Sequence, residues 1–313
     1  QSEWTAERGT RSCEPCHYHT GPARPNRGVP VKSPRVPLPP RDPVPNSRER
    51  VEPRDLAELT SLATAHPELA PAAQLERELL DGERRLQRRL GTPWLDVGTE
   101  VLQARLAAGE RLMSWDGLSI DWPECRLRWR QVVDVLRRHD VLETGDVARL
   151  QDLARDAALP DLVRRWYEGD PDVPAGVRDV VALTLRPFLA RAAEVLQQRV
   201  RTDAWTRGTC PLCAGPPVFA VLPSAGGRQL VCGRCLARWM FDPRTCPHCL
   251  ATEGQRAFSA MEGRYQIAAC DRCRHYLKAL DVRRAGRPLI LAVDTVATLT
   301  LDQAITAQGY AAD

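Results

Sequence analysis

The sequence predicts an α+β protein, in which an α-helical N-terminal domain is followed by a small metal-binding domain. Apolar residues recur at helical spacing from residue 54 to about residue 200. After that point the chain holds short β-type runs and eight of its eleven cysteines. A chain of 313 residues is long enough for two domains. We expect a disordered tail at 1–53, a helical domain at 54–204 and a metal-binding domain at 205–313.

The first 53 residues are rich in proline, with 11 of the 26 prolines of the chain. Proline fixes φ and lacks a backbone donor, so this composition favours an extended, uncompacted chain. Within it, Cys13, Cys16 and His17 match the pattern of c-type haem attachment. The segment lacks the apolar core of an export signal, and we therefore interpret this match as fortuitous.

The helical region is predicted from apolar stripes. Leu56, Leu59 and Ala63 recur at helical spacing. Further helical windows are 75–90, 101–112, 127–142, 147–159 and 162–167. A last stripe runs from Leu185 to Leu196, and we expect its helix to begin near Pro187, because proline is best tolerated in a first turn.

Four Cys-x-x-Cys pairs dominate the region after residue 205. They are Cys210/Cys213, Cys232/Cys235, Cys246/Cys249 and Cys270/Cys273. Eighteen residues separate the first pair from the second, and 20 residues separate the third pair from the fourth. Both gaps fit the spacing of four-cysteine metal sites. Four thiolates suit tetrahedral Zn²⁺ or iron of the rubredoxin type. The simplest interpretation is two ions per chain, bound by consecutive pairs, although spacing alone leaves crossed pairing open.

Disulfide bonds and redox chemistry are two other uses of paired cysteines. Four disulfides would require an oxidising compartment, which the absence of an export signal does not support. Redox-active dithiols normally occur once, near a βαβ pattern. We therefore favour metal binding in the reducing cytoplasm. His248 and His275 lie beside the cysteines and are expected to be turn residues outside the ligand set.

Short strands are predicted between the cysteine pairs, at 218–222, 229–232, 265–269 and 276–280. Strands that end in Cys-x-x-Cys turns are typical of zinc-ribbon and rubredoxin-like motifs, whose small cores depend on their ions. Near the C-terminus, Asp294 is predicted to cap a helix that carries Val296, Leu299 and Ile305.

Charge and motifs exclude several classes of function. The chain has 44 Lys/Arg and 40 Asp/Glu. Residues 1–50 contain nine Lys/Arg and five Asp/Glu, so residues 51–313 contain 35 basic and 35 acidic residues. This balance argues against nucleic-acid binding, and the absence of a long apolar run argues against membrane insertion. No nucleotide-binding or hydrolase motif is present, and filled four-thiolate sites leave no position for substrate, so we predict no catalytic activity.

The cysteine-rich region resembles the FdhE family. The resemblance rests on the order of the four pairs, with Trp239 between the second and third, and continues through 276–278 and 294–302. Looser similarity occurs at 54–56 and 186–188. Ala214 departs from the pattern, since the family often has glycine after the first pair.

The resemblance implies a helical domain followed by two rubredoxin-like motifs, with iron at the cysteines. It also implies a cytoplasmic accessory protein for formate dehydrogenase, which contacts the catalytic subunit before export. A zinc-ribbon protein that binds nucleic acid is the alternative. The oligomeric state is left open.

Overall fold

The protein is described here by a computed structural model that covers residues 52–91, 93 and 97–312. The proline-rich segment up to residue 51, with the haem-like motif at Cys13, lies outside the described residues. Within them, no helix has the length and apolar character needed to cross a bilayer.

Seven α-helices precede the first strand in the described part of the chain. They are α1 (Arg54–Ala65), α2 (Ala70–Gln87), α3 (Thr99–Ala107), α4 (Trp122–Arg138), α5 (Thr144–Leu153), α6 (Leu159–Glu168) and α7 (Ala175–Arg199). Amphipathic stripes explain most of them: α4, for example, buries Trp129, Val132 and Leu136 on one face. The predicted helical N-terminal region is confirmed.

Helix α7 differs from the prediction, which placed its start near Pro187. The helix begins at Ala175, and Pro187 lies inside it. Proline removes the hydrogen bond that residue 187 would otherwise donate to the carbonyl of Leu183. The apolar stripe continues before the proline, with Val177, Val180 and Val181 buried, and this burial offsets the lost bond.

A six-stranded sheet follows the helices. Its strands are β1 (Pro217–Leu222), β2 (Arg228–Cys232), β3 (Arg238–Phe241), β4 (Gln255–Ala260), β5 (Tyr265–Cys270) and β6 (Tyr276–Asp281). They lie in the order β3-β2-β1-β6-β5-β4. Strands β1 and β6 are parallel to each other, and all other neighbouring strands are antiparallel. Strands β3 and β4 were not predicted.

The C-terminal part forms α8 (Val282–Ala285), α9 (Leu291–Ala297) and α10 (Leu299–Thr306). The buried apolar residues of α9 pack against α1 and α2, whereas Ile305 of α10 packs against the sheet. Asp294 does not cap a helix as predicted but lies buried within α9. Its carboxylate accepts hydrogen bonds from the Tyr265 hydroxyl at 2.6 Å, Arg287 at 2.7 Å and the N–H of Ile290 at 2.8 Å. A buried carboxylate requires such partners, and these come from β5 and from the loop that precedes α9.

The largest apolar core is continuous from the helices into the sheet. It contains Trp129 of α4 and Leu185 of α7 together with Cys213 and Trp239. Backbone bonds also join the two regions, because the N–H of Met113 donates to the carbonyl of Leu212 at 2.8 Å. A domain boundary near residue 204 stays a prediction.

Candidate metal centres

The four Cys-x-x-Cys pairs adopt one backbone geometry, which we call a knuckle. Knuckles 1 to 4 are Cys210–Cys213, Cys232–Cys235, Cys246–Cys249 and Cys270–Cys273. In each, the residue after the second cysteine donates its N–H to the carbonyl of the first cysteine, at 2.8–3.2 Å. The N–H of the first cysteine donates to the carbonyl two residues after the second, at 2.8–2.9 Å. These bonds close a turn that points both sulfurs to one side.

Each knuckle ends in a left-handed residue. The four residues after the second cysteine have φ between 58° and 61°, and they are Ala214, Leu236, Leu250 and Arg274. This region favours glycine, because a Cβ crowds the following carbonyl there. None of the four is glycine, so each knuckle holds its conformation against a local steric cost.

The knuckles meet in consecutive pairs. The first cluster consists of Cys210, Cys213, Cys232 and Cys235, and the second of Cys246, Cys249, Cys270 and Cys273; within each, the four sulfur atoms lie within 4.8 Å of one another. The structure thus brings together all eight cysteines that were predicted as ligands. Knuckle 1 faces knuckle 2 and knuckle 3 faces knuckle 4, which is the consecutive arrangement rather than the crossed one.

The sulfur geometry fits a tetrahedral metal ion. Sγ–Sγ distances are 3.4 Å for Cys213 to Cys232 and 3.6 Å for Cys249 to Cys270. A tetrahedron with metal–sulfur bonds of about 2.3 Å has edges of roughly 3.7 Å, whereas a disulfide needs about 2.05 Å. Backbone N–H groups also point at sulfur, as from Gly215 to Cys213 at 3.4 Å, which suits thiolate acceptors.

The first cluster is enclosed in the main core, where its thiols are at most 1% exposed. Burial raises the pKa of Cys210 well above its ordinary value. Four buried thiols therefore lose their protons together only if a cation takes up their charge. Tyr167 lies beside this cluster, and burial, reinforced by negative charge at Cys213, raises the pKa of its hydroxyl.

Arg234, within knuckle 2, ties the first cluster to α6. Its guanidinium stacks over Trp166 at 4.4 Å and donates to the carbonyl of Tyr167 at 3.2 Å. The helical region thus contacts the first cluster from the outside as well as through the core.

The second cluster lies nearer the surface. Cys246 and Cys270 are buried, but Cys249 and Cys273 are half-buried. Gln255 donates its side-chain N–H to the sulfur of Cys270 at 3.3 Å. The His248 and His275 rings stack with centroids 5.0 Å apart, and His275 Nδ1 lies 2.9 Å from the carbonyl oxygen of Cys273. Neither histidine belongs to the converging set of ligand atoms.

Arg228, a buried cation that positions knuckle 3, was not predicted from the sequence. It donates to the carbonyls of Asp242 and Thr245, just before Cys246. Burial lowers the pKa of Arg228, and negative charge at Cys246 opposes that shift. The available signal was strand alternation, which places Arg228 on the same face as Leu230 and Cys232.

No family model matches the sequence. The chain is, however, 36% identical over 237 residues to the FdhE homolog of Shewanella sp. (strain MR-4), an alignment that covers 68% of this chain and 76% of that protein. The chain belongs to the FdhE family. The FdhE homolog of Shewanella baltica (strain OS195) is 32% identical over 232 residues, covering 67% of this chain and 76% of its own length.

The FdhE fold is confirmed by a solved structure. The crystal structure of the FdhE protein from Pseudomonas aeruginosa superimposes with a TM-score of 0.58 at 21% identity, covering 83% of this chain and 92% of that one. A helical region followed by a sheet with two four-cysteine clusters is thus the architecture of this FdhE chain.

Proposed function

We propose that this chain is a cytoplasmic accessory protein that binds the catalytic subunit of formate dehydrogenase during its assembly. The observation that carries the proposal is membership of the FdhE family, supported by 36% identity over most of the chain. The resemblance to FdhE proteins implies a role in formate dehydrogenase assembly, and we infer that role for this protein. Its contact with the subunit would be transient, because an accessory protein must release its finished client.

The two clusters would each hold one ion, iron or zinc, with all eight cysteines as ligands. Binding of a structural ion is worth on the order of 10 kcal/mol in small zinc domains. Such an ion would hold the knuckles and the short strands between them in one conformation. A surface that is ordered in advance lowers the cost of docking a partner.

Four thiolates complete a tetrahedron and leave no open coordination position. A closed site of this kind does not present the ion to a substrate, so the protein would have no turnover of its own. Many arginines of the helical region contact carboxylates, as where Arg186 contacts Glu83 at 2.7 Å and Arg89 contacts Glu124 at 2.7 Å. Matched charge favours a protein partner over nucleic acid.

The test is capture of the catalytic subunit by the tagged full chain from cytoplasmic extract, combined with formate dehydrogenase activity in a strain that lacks the protein. We expect the subunit to be enriched over an unrelated exported protein, and activity to fall in the deletion strain and return with the intact gene. Normal activity in the deletion strain, together with absence of capture, would contradict the proposal.

A further inference from the structure

The sheet is built from an internal repeat. Ribbon A runs knuckle 1, β1, β2, knuckle 2, β3, and ribbon B runs knuckle 3, β4, β5, knuckle 4, β6. The correspondence is close: β2 and β5 end on the first cysteine of their knuckles, Cys232 and Cys270. Strands β3 and β6 both begin three residues after the second cysteine.

The two ribbons join through β1 and β6. Strand β6 runs parallel to β1, with Ala220 opposite Ala279 and Val221 opposite Leu280. The outer edge of the first strand of ribbon A therefore accepts a parallel strand. Its counterpart in ribbon B is β4, which lies at the end of the sheet. Among the described residues, no strand pairs with the outer edge of β4.

Backbone bonds at the end of β5 show which groups of β4 point outward. Asp271 donates its N–H to the carbonyl of Gly254, whereas Cys270 donates to His275 on the β6 side. Odd-numbered residues of β5 thus face β4, and in the observed register their partners are the even-numbered residues of β4. The N–H and C=O groups of Ala257 and Ser259 consequently point away from the sheet, and both residues are exposed.

This edge lacks the usual protections against strand pairing. Strand β4 contains no proline, and its six pairs with β5 are in unbroken register, without a bulge. Its single charged residue, Arg256, is paired with Asp271 at 2.7 Å. The opposite edge is different, because β3 has four residues and is followed by Asp242 and Pro243.

We propose that the free edge of β4 is a docking site for an extended segment of the client protein, which adds as a seventh strand parallel to β4. This inference rests on the proposed function. Strand addition supplies affinity through main-chain bonds, whatever the sequence of the segment. Phe258 is half-buried against Ile267 and Tyr276. The segment would therefore place an apolar side chain on that face, with small or polar residues alternating on the other.

A second copy of the chain fits this edge less well. A strand that pairs with its own copy about a two-fold axis runs antiparallel, whereas the repeat provides for a parallel strand. Strand β3 of another copy would be parallel, but it is short and would generate an open-ended chain of molecules.

The test compares Ala257→Pro with Ala257→Val in the full chain. Proline removes the outward N–H and leaves the bonds of β4 to β5 in place, while valine keeps the donor and favours a strand. Both variants should retain metal content and circular dichroism. We expect capture of the formate dehydrogenase catalytic subunit to weaken about tenfold or more with proline and to be unchanged with valine.

Amide hydrogen exchange locates the contact directly. In the isolated protein, Ala257 and Ser259 should exchange fast and Phe258 slowly, and the first two should become protected in the complex. Equal capture by both variants, or no new protection at these amides, overturns the edge as the docking site while leaving the proposed function intact. No capture by the unmodified chain overturns both proposals. If these amides become protected when the protein self-associates, the occupant of the edge is a second copy of the chain. If they are already protected in the isolated protein and deletion of residues 1–51 removes that protection, the occupant is this N-terminal segment.

Discussion

At the scale of single residues, the knuckles show how a closed turn overrides local backbone preference. Four non-glycine residues adopt a left-handed conformation because the turn must close around two sulfurs. The cost is about 1 kcal/mol for each such residue. Leu250 is the most instructive, since the residue is 56% exposed and contributes little packing.

Leu250→Gly is therefore expected to stabilise the protein by about 0.5–1 kcal/mol, because glycine adopts this φ without a steric penalty. Leu250→Ala is the matched control, which removes the same side chain but keeps the Cβ. Urea unfolding of the metal-loaded, reduced proteins measures both. A gain in the alanine variant equal to that in the glycine variant would show that the exposed leucine, and not the backbone, was responsible.

At the scale of elements, the segment before knuckle 1 supports the second cluster. A Cβ placed on Gly208 would lie 1.8 Å from the carbonyl oxygen of Pro247, which is inside knuckle 3. The backbone of residues 207–208 thus rests directly on that knuckle. The carbonyl of Arg207 also accepts a hydrogen bond from the Trp239 indole at 3.3 Å, which fixes the position of the segment on β3.

Gly208→Ala should displace knuckle 3 and lower the stability of the protein by about 2 kcal/mol or more, since a backbone atom cannot move aside as a flexible side chain does. Metal content should fall toward one ion per chain. Gly176→Ala in α7 serves as the control, because a Cβ there meets nothing within 4 Å. Elemental analysis measures the metal content of both variants, and thermal melting measures their stability. Full metal content at an unchanged melting temperature in Gly208→Ala would refute the contact.

The eight converging cysteines and four of the six strands were predictable, because spacing between cysteines and runs of β-formers are local properties. Strand β4 escaped prediction since Gln255–Ala260 contains no β-branched residue, and only its pairing with β5 makes it a strand. The start of α7 was wrong because burial on both sides of Pro187 outweighed a local rule. The role of Arg228 depends on tertiary burial and could not be inferred from residue type.

At the scale of the whole molecule, the two clusters occupy different environments. The first lies in the core shared with the helices, and the N–H of Leu112 donates to the carbonyl of Pro211 in knuckle 1 at 3.1 Å. The second is less enclosed, since Cys249 and Cys273 are half-buried, and Gln255 of β4 donates to the sulfur of Cys270. Loss of an ion should therefore have different consequences at the two places.

Cys213→Ser is expected to destabilise the helices as well as ribbon A, because an incomplete first cluster leaves unpaired polar groups inside the common core. Cys273→Ser should affect mainly ribbon B and leave the helical transition within about 0.5 kcal/mol of the unmodified protein. Urea unfolding followed by the helical circular dichroism signal separates the two variants. Equal shifts would contradict the difference in environment.

We propose that the eight cysteines bind two ions in consecutive sets of four. Native mass spectrometry of the full chain, purified anaerobically, counts these ions. We expect two ions per chain in the unmodified protein, and one in both Cys213→Ser and Cys273→Ser, with elemental analysis distinguishing iron from zinc. A chain without metal whose mass is lowered by formed disulfides, or loss of both ions from Cys273→Ser, would contradict the claim.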